Sequence, residues 1–171
     1  MGMFMASVAF SCADAEKWSD LSSEIQEMVS NSDGLYCNLN AASRVGCIIS
    51  PYGDGAPILV NLPERISALA GGYAIFANCV DSDFNMISLW NNGEFIEDSY
   101  IGRIYQEYLD FCSVSKPDVN LWLPLLCDKS KTDELKHALL SDQVFAEDNL
   151  IELSMLTGLP VFDAEFLEKC C

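Results

Sequence analysis

Residues 73–100 constrain the fold more tightly than any other segment of this chain. They read as a dense apolar run over 73–80, a polar Asp81-Ser82-Asp83 turn, a second apolar run over 84–90, Asn91-Asn92-Gly93, and a third run over 94–100. Short runs rich in aromatic and β-branched residues, separated by tight turn residues, specify an antiparallel meander. Whether the loop after Trp90 holds two residues or three stays open, and a one-residue slip decides which of Phe95 and Ile96 joins the Ile87/Leu89 face. Large apolar residues fall on both faces, so the meander is expected to be central or covered on both sides.

The flanking segments supply the cover. Residues 3–11 read as a strand. Ser11 and Asp14 then offer capping oxygens before Ala15, Trp18, Leu21, Ile25, Met28 and Val29, which recur at helical spacing with Glu16, Asp20, Glu24 and Glu27 largely off the stripe. Asn31-Ser32-Asp33-Gly34 ends that helix. Strands are expected over 35–40, 45–50 and 57–62, and a short helix runs from Pro63 to a stop at Gly71-Gly72. Beyond residue 103 the pattern turns helical over 105–112, 117–127, 132–140 and 144–157, the last stopped by Gly158 and Pro160. The expectation is one α+β domain over residues 1–171, with 1–103 mainly sheet plus the first helix and 104–171 mainly helical. In the last long helix Phe145, Ala146, Leu150, Leu153 and Leu156 form one stripe, while Val144, Ile151 and Met155 lie opposite. Such a helix is sandwiched in a core or offers one side to a partner.

Half of the residues are hydrophobic, yet 26 acids face 9 bases for a net charge of −17. The surplus is spread along the chain: residues 1–71 hold eight acids and three bases, 72–118 eight and two, 119–171 ten and four. A globule charged throughout in this way repels nucleic acid phosphates and anionic membranes and steers basic partners inward. No apolar run approaches membrane-spanning length. The apolar N-terminal run looks like part of a secretion signal but lacks a preceding Lys or Arg, so it is assigned to a strand. Cys170-Cys171 resembles a doubly prenylated end, but the matching phosphate-binding loop is missing, so exposed thiols are expected. Cys12, Cys37, Cys47, Cys79, Cys112 and Cys127 lie mostly in apolar runs with no C-x-x-C pair, which reads as reduced, mostly buried thiols in a cytoplasmic protein.

Catalytic chemistry has little to stand on. His137 is the one histidine, and it points away from the Leu135/Ala138/Leu139 stripe, so neither a Cys–His pair nor a Ser-His-Asp triad gains an oriented base. Gly53-Asp54-Gly55 and Gly71-Gly72 match no dinucleotide or P-loop spacing, and no cofactor is assigned. Asp81-x-Asp83-x-Asn85 begins like a calcium loop but carries Met86 where the turn needs Gly and Asn92 where a bidentate Glu belongs. A metal-assisted hydrolase or phosphotransfer enzyme built on Asp81 and Asp83 is the enzymatic alternative. The binding alternative places carboxylates Glu94, Glu97 and Asp98 beside a rigid turn, with Trp90 as an aromatic anchor. A structural homo-oligomer subunit is the third reading.

The Asp81-Ser82-Asp83 turn, the strand to Trp90, Gly93 and Asp98-Ser99-Tyr100 resemble a hairpin in small uncharacterised bacterial α+β proteins. Phe145-Ala146-Glu147-Asp148 through Leu156-Thr157-Gly158-Leu159 is similar to the closing helix of the same group, and the resemblance covers about a third of the chain. Some of these proteins resemble immunity proteins of bacterial polymorphic-toxin systems. That resemblance implies a non-enzymatic inhibitor that binds a toxin domain, here a basic one, and it carries over no active-site residues.

Overall fold

The computed structural model describes residues 3–105 and 114–170. Six strands form one antiparallel sheet: β1 (Met5–Ser11), β2 (Tyr36–Asn40), β3 (Val45–Ser50), β4 (Tyr73–Val80), β5 (Phe84–Asn91) and β6 (Glu94–Gly102), in the order β2-β3-β1-β4-β5-β6. The first strand sits inside the sheet because two hairpin systems dock on its two edges. Ala6 pairs with Ser50 on one side and with Asn78 on the other. Its sequence is apolar almost throughout because both of its faces are covered.

The chain divides the covering helices by sequence order. On one face α1 (Ala15–Ser30), α2 (Ala56–Leu59) and α3 (Pro63–Ala70) bury Trp18, Leu21, Ile25, Leu59 and Ile66 against Val8, Phe10, Ile48 and Phe76. On the other face lie α4 (Val119–Trp122), a 3-10 turn (Leu123–Leu125), α5 (Thr132–Leu140), α6 (Ala146–Thr157) and α7 (Ala164–Cys170). They bury Trp122, Leu135, Leu139, Leu150 and Leu153 against Met5, Ile75, Ile87 and Leu89. The result is an α+β domain with two separate apolar cores, one per face of the sheet.

Local chemistry sets the helix ends. Asp14 caps α1 by accepting the Glu16 N–H at 2.8 Å. Gly71 and Gly158 end α3 and α6 in the left-handed conformation at φ 62° and 69°. Three expectations are corrected. Residues 57–62 do not form a strand. Ala56–Leu59 is a helical turn, with the Val60 N–H bonded to the Ala56 carbonyl, because Pro57 lacks a ladder donor and β1 already has both edges occupied. The helix expected over 117–127 breaks at Trp122 into the 3-10 turn at Pro124. Ala164–Cys170 is a helix that the sequence pattern did not announce; Asp163 caps it by accepting the Phe166 N–H at 3.0 Å. The helix expected over 105–112 and the thiols of Cys112 and Cys171 lie outside the described residues, apart from Tyr105 itself.

The two-sided helix is decided in favour of one side. In α6 Ala146, Leu150, Leu153 and Leu156 are buried, whereas Ile151 and Met155 are exposed, as is Val144 before the helix. Phe145, expected on the buried stripe, is exposed instead because it is the extended residue that precedes the first turn. Among the described residues no helix is long and apolar enough to cross a membrane.

Candidate functional site

The hairpin that joins β5 to β6 is closed by a two-residue loop, since Asn91 pairs with Glu94. Asn92 and Gly93 both have positive φ, at 52° and 82°, the backbone sense whose twist matches an antiparallel hairpin. Two further bonds fix the tip. Gly93 N–H donates to Ser67 Oγ at 3.0 Å, and Asn92 N–H donates to the Gly72 carbonyl at 3.0 Å. The turn is therefore docked on the C-terminal end of α3.

Register in this hairpin is not uniform. Trp90 faces Phe95, but Leu89 faces Glu97, so Ile96 is an extra residue in a β-bulge. The bulge turns Ile96 and Glu97 toward the same side, where Ile96 packs on the core that holds Ile87 and Leu89. That settles the question the sequence left open between Phe95 and Ile96.

The bulge also separates the carboxylates. Glu97 points into the C-terminal helical layer: Oε2 accepts the Trp122 indole N–H at 2.7 Å and Oε1 accepts the Asp118 backbone N–H at 2.7 Å. Trp122 is completely buried, so this carboxylate supplies an acceptor that the indole needs inside the core. Glu97 thus ties β6 to the start of α4. Asp98 faces the other way, opposite Ser88 and on the side of Trp90 and Phe95. Burial, and then the neighbouring Glu97 charge, push the Asp98 carboxyl above its ordinary value. Trp90 is half-buried, donates its indole N–H to Ser88 Oγ at 3.2 Å, and stacks edge-on with Phe95 at 5.2 Å between centroids. Phe95 is 52% exposed and Glu94 is exposed at the start of β6. The structure brings Trp90, Phe95 and Asp98 to one surface and removes Glu97 from it. Phe95 escaped the sequence reading because its direction depends on the loop length, which the two-residue turn fixes by pairing it with Trp90.

The Asp81/Asp83 turn is held by the residue between them. Asp81 and Ser82 have φ of 51° and 58°, and Ser82 is buried. Its Oγ accepts the Met3 backbone N–H at 2.8 Å and donates to Glu147 Oε1 at 3.0 Å. Asp81 is exposed and Asp83 half-buried on either side of that anchor. Among the described residues no three His, Cys, Asp or Glu side chains converge to hold a metal ion. His137 is exposed as expected but not unoriented, because its Nδ1 lies 3.0 Å from Glu152 Oε2.

Cys12, Cys37, Cys47, Cys79 and Cys127 are free thiols. Cys12, Cys47 and Cys79 are buried, and burial above all pushes the Cys47 and Cys79 thiols up to about 12. Two differ from expectation. Cys127 is exposed because it lies in the turn after the 3-10 segment, and Cys170 is half-buried because α7 packs it against the core. The chain matches no family model, no curated protein and no solved structure.

Proposed function

We propose that this protein is a non-enzymatic, cytosolic binding protein that engages a basic protein partner, in the manner of an immunity protein blocking a toxin domain. The observation that carries the reading is the unneutralised charge. Among the described residues, which include 24 of the 26 acids, three ion pairs form: Arg65–Glu24, Lys116–Asp142 and His137–Glu152. Carboxylates left without cations inside the fold project a field that a cationic surface relieves. The docked hairpin adds a rigid platform where exposed Phe95 and half-buried Trp90 stand beside Asp98, a pairing of aromatic anchor and charge that suits a protein interface. The free thiols support the cytosolic part of the reading.

The test expresses the product of the reading frame beside this gene, which should carry a basic domain. Its association with this protein, followed by stopped-flow fluorescence, should slow steeply as salt is raised, because steering charges are screened over about 10 Å at 0.1 M ionic strength. Glu94→Lys together with Asp98→Lys should slow association about tenfold or more. Association that ignores salt, or that survives both reversals unchanged, sinks the reading.

A further inference from the structure

The outer side of α6 carries an apolar ridge that nothing in the fold covers. Val144 is 87% exposed, Met155 79% and Phe145 55%, with Ile151 at 36%. Asp148, Ile151 and Met155 share one face of the helix over roughly 10 Å, and Val144 and Phe145 stand exposed in the bend just before it. Leu150 and Leu153, on the buried side, hold the helix to the sheet without them. At its Met155 end the ridge is flanked by a cleft on either side, and Met155 walls each. One, of about 280 Å³, runs between α5 and α6 past His137 and Glu152. The other, of about 450 Å³, opens toward Asn38, Phe162 and Asp163. A ridge between two grooves is the relief against which a second helix packs.

Charge selects the occupant. Asp148 lies on the same face between Val144 and Ile151, and no cation pairs with it among the described residues. Glu147, turned inward beneath that face, keeps one buried carboxylate oxygen without a donor among the described residues. Glu152 borders the ridge and pairs with His137, in a cleft that Glu134 and Lys131 also line. A second copy of this chain would bring another charge of −17 and another Asp148 to the contact. We infer that this ridge docks a basic amphipathic helix from a partner protein, its apolar side chains seated along Val144, Ile151 and Met155 and its flanking Lys or Arg residues meeting Asp148 and Glu152. The inference takes the partner's charge from the reading above but uses the opposite face of the sheet from Trp90, Phe95 and Asp98.

The probe is a fluorescein-labelled synthetic helix of about 18 residues, Leu at helical spacing and Lys or Arg on both flanks. Its controls are a scramble of identical composition and a version with Glu on the flanks. In anisotropy titrations with the whole protein at physiological salt, the basic amphipathic peptide should bind about tenfold tighter than either control. Met155→Asp and Val144→Asp should each weaken it about tenfold, while Asp98→Lys should leave it unchanged. Val144 precedes the helix and is almost fully exposed, so its variant keeps the test valid if Met155→Asp folds poorly. Equal binding of the scramble means polycation attraction alone and overturns the proposal. So does wild-type affinity in the Val144→Asp variant, or a concentration-dependent dimer in sedimentation that Val144→Asp dissolves. Failure of the hairpin reading would appear instead as loss of salt and Asp98 dependence with the neighbour-encoded domain, leaving the peptide result intact.

Discussion

Replacing Glu97 with Ala removes the acceptor for three donors at once, of which the Ser99 hydroxyl, at 3.4 Å from Oε2, makes the longest and weakest bond. The Trp122 indole N–H, 2.7 Å from Oε2, belongs to a side chain with no exposed surface, so water cannot take the vacated place. A buried donor left unpaired costs about 1–3 kcal/mol. The Asp118 N–H at 2.7 Å from Oε1 lies on an exposed residue and recovers water, so its loss adds about 0.5–1.5 kcal/mol. The sum is about 2–4 kcal/mol, and in a chain of this size each kcal/mol moves the melting temperature by about 2–4 °C. Glu97→Ala should therefore melt about 5–15 °C below the parent, as read by far-UV circular dichroism, and show the same loss in urea unfolding. Glu97→Gln keeps an acceptor for the indole but turns an amide donor toward the Asp118 N–H, so it should fall between the two. Trp122→Phe in the Glu97→Ala background should cost less than the same change in the parent, giving a coupling of about 1–2 kcal/mol. A Glu97→Ala protein within about 0.5 kcal/mol of the parent, or an additive cycle, refutes the argument. Slower partner association at unchanged stability would return Glu97 to the recognition surface.

The Asp98 carboxyl titrates above its ordinary value in the folded protein, so its ionised form opposes folding; stability gained on protonation is complete below the unfolded value near about 4 and is lost as pH rises through the folded one. Asp98→Asn should consequently raise the melting temperature at neutral pH and lose that advantage near pH ~3.5, whereas a destabilised Asp98→Asn at neutral pH would contradict the assignment. In thiol labelling at pH ~8 with peptide mapping, Cys127 should react at once and Cys47 and Cys79 only on unfolding, because their thiols are buried and pushed up to about 12; early labelling of either would speak against the core described. Gly72→Ala would set its Cβ 2.4 Å from the Ser11 carbonyl oxygen, a backbone atom that cannot swing away, and should cost about 1–3 kcal/mol in urea unfolding; a neutral change would mean that this crossing is looser than it looks.

The strands were legible because their signal is local: the runs over 73–80 and 84–90 and the Asn-Gly turn need no knowledge of the rest of the chain. Ala56–Leu59 was misread for the opposite reason. A short apolar run fits strand and helix equally, and only the occupied edges of β1 decide against a strand. Glu97 shows the limit at the candidate site. Its neighbours in sequence mark it as one of three like carboxylates, but a bulge at Ile96 and an indole 25 residues further on give it a different task. Burial of one stripe of α6 was readable as an alternative, yet which stripe is buried depends on where β5 and β6 present their apolar face.

The order in which the layers are encoded has a kinetic consequence. All six strands and the first helical layer lie within residues 5–102, while among the described residues the helices that cover the second face lie in residues 119–170. During vectorial synthesis the sheet can close before the residues that shield Met5, Ile75, Ile87 and Leu89 have left the ribosome. For that interval the nascent chain is a half-clad sheet whose naked side is the stickiest surface it will ever show. The acidic residues already translated, eight in residues 1–71 alone, then keep neighbouring nascent chains apart until the last helices arrive.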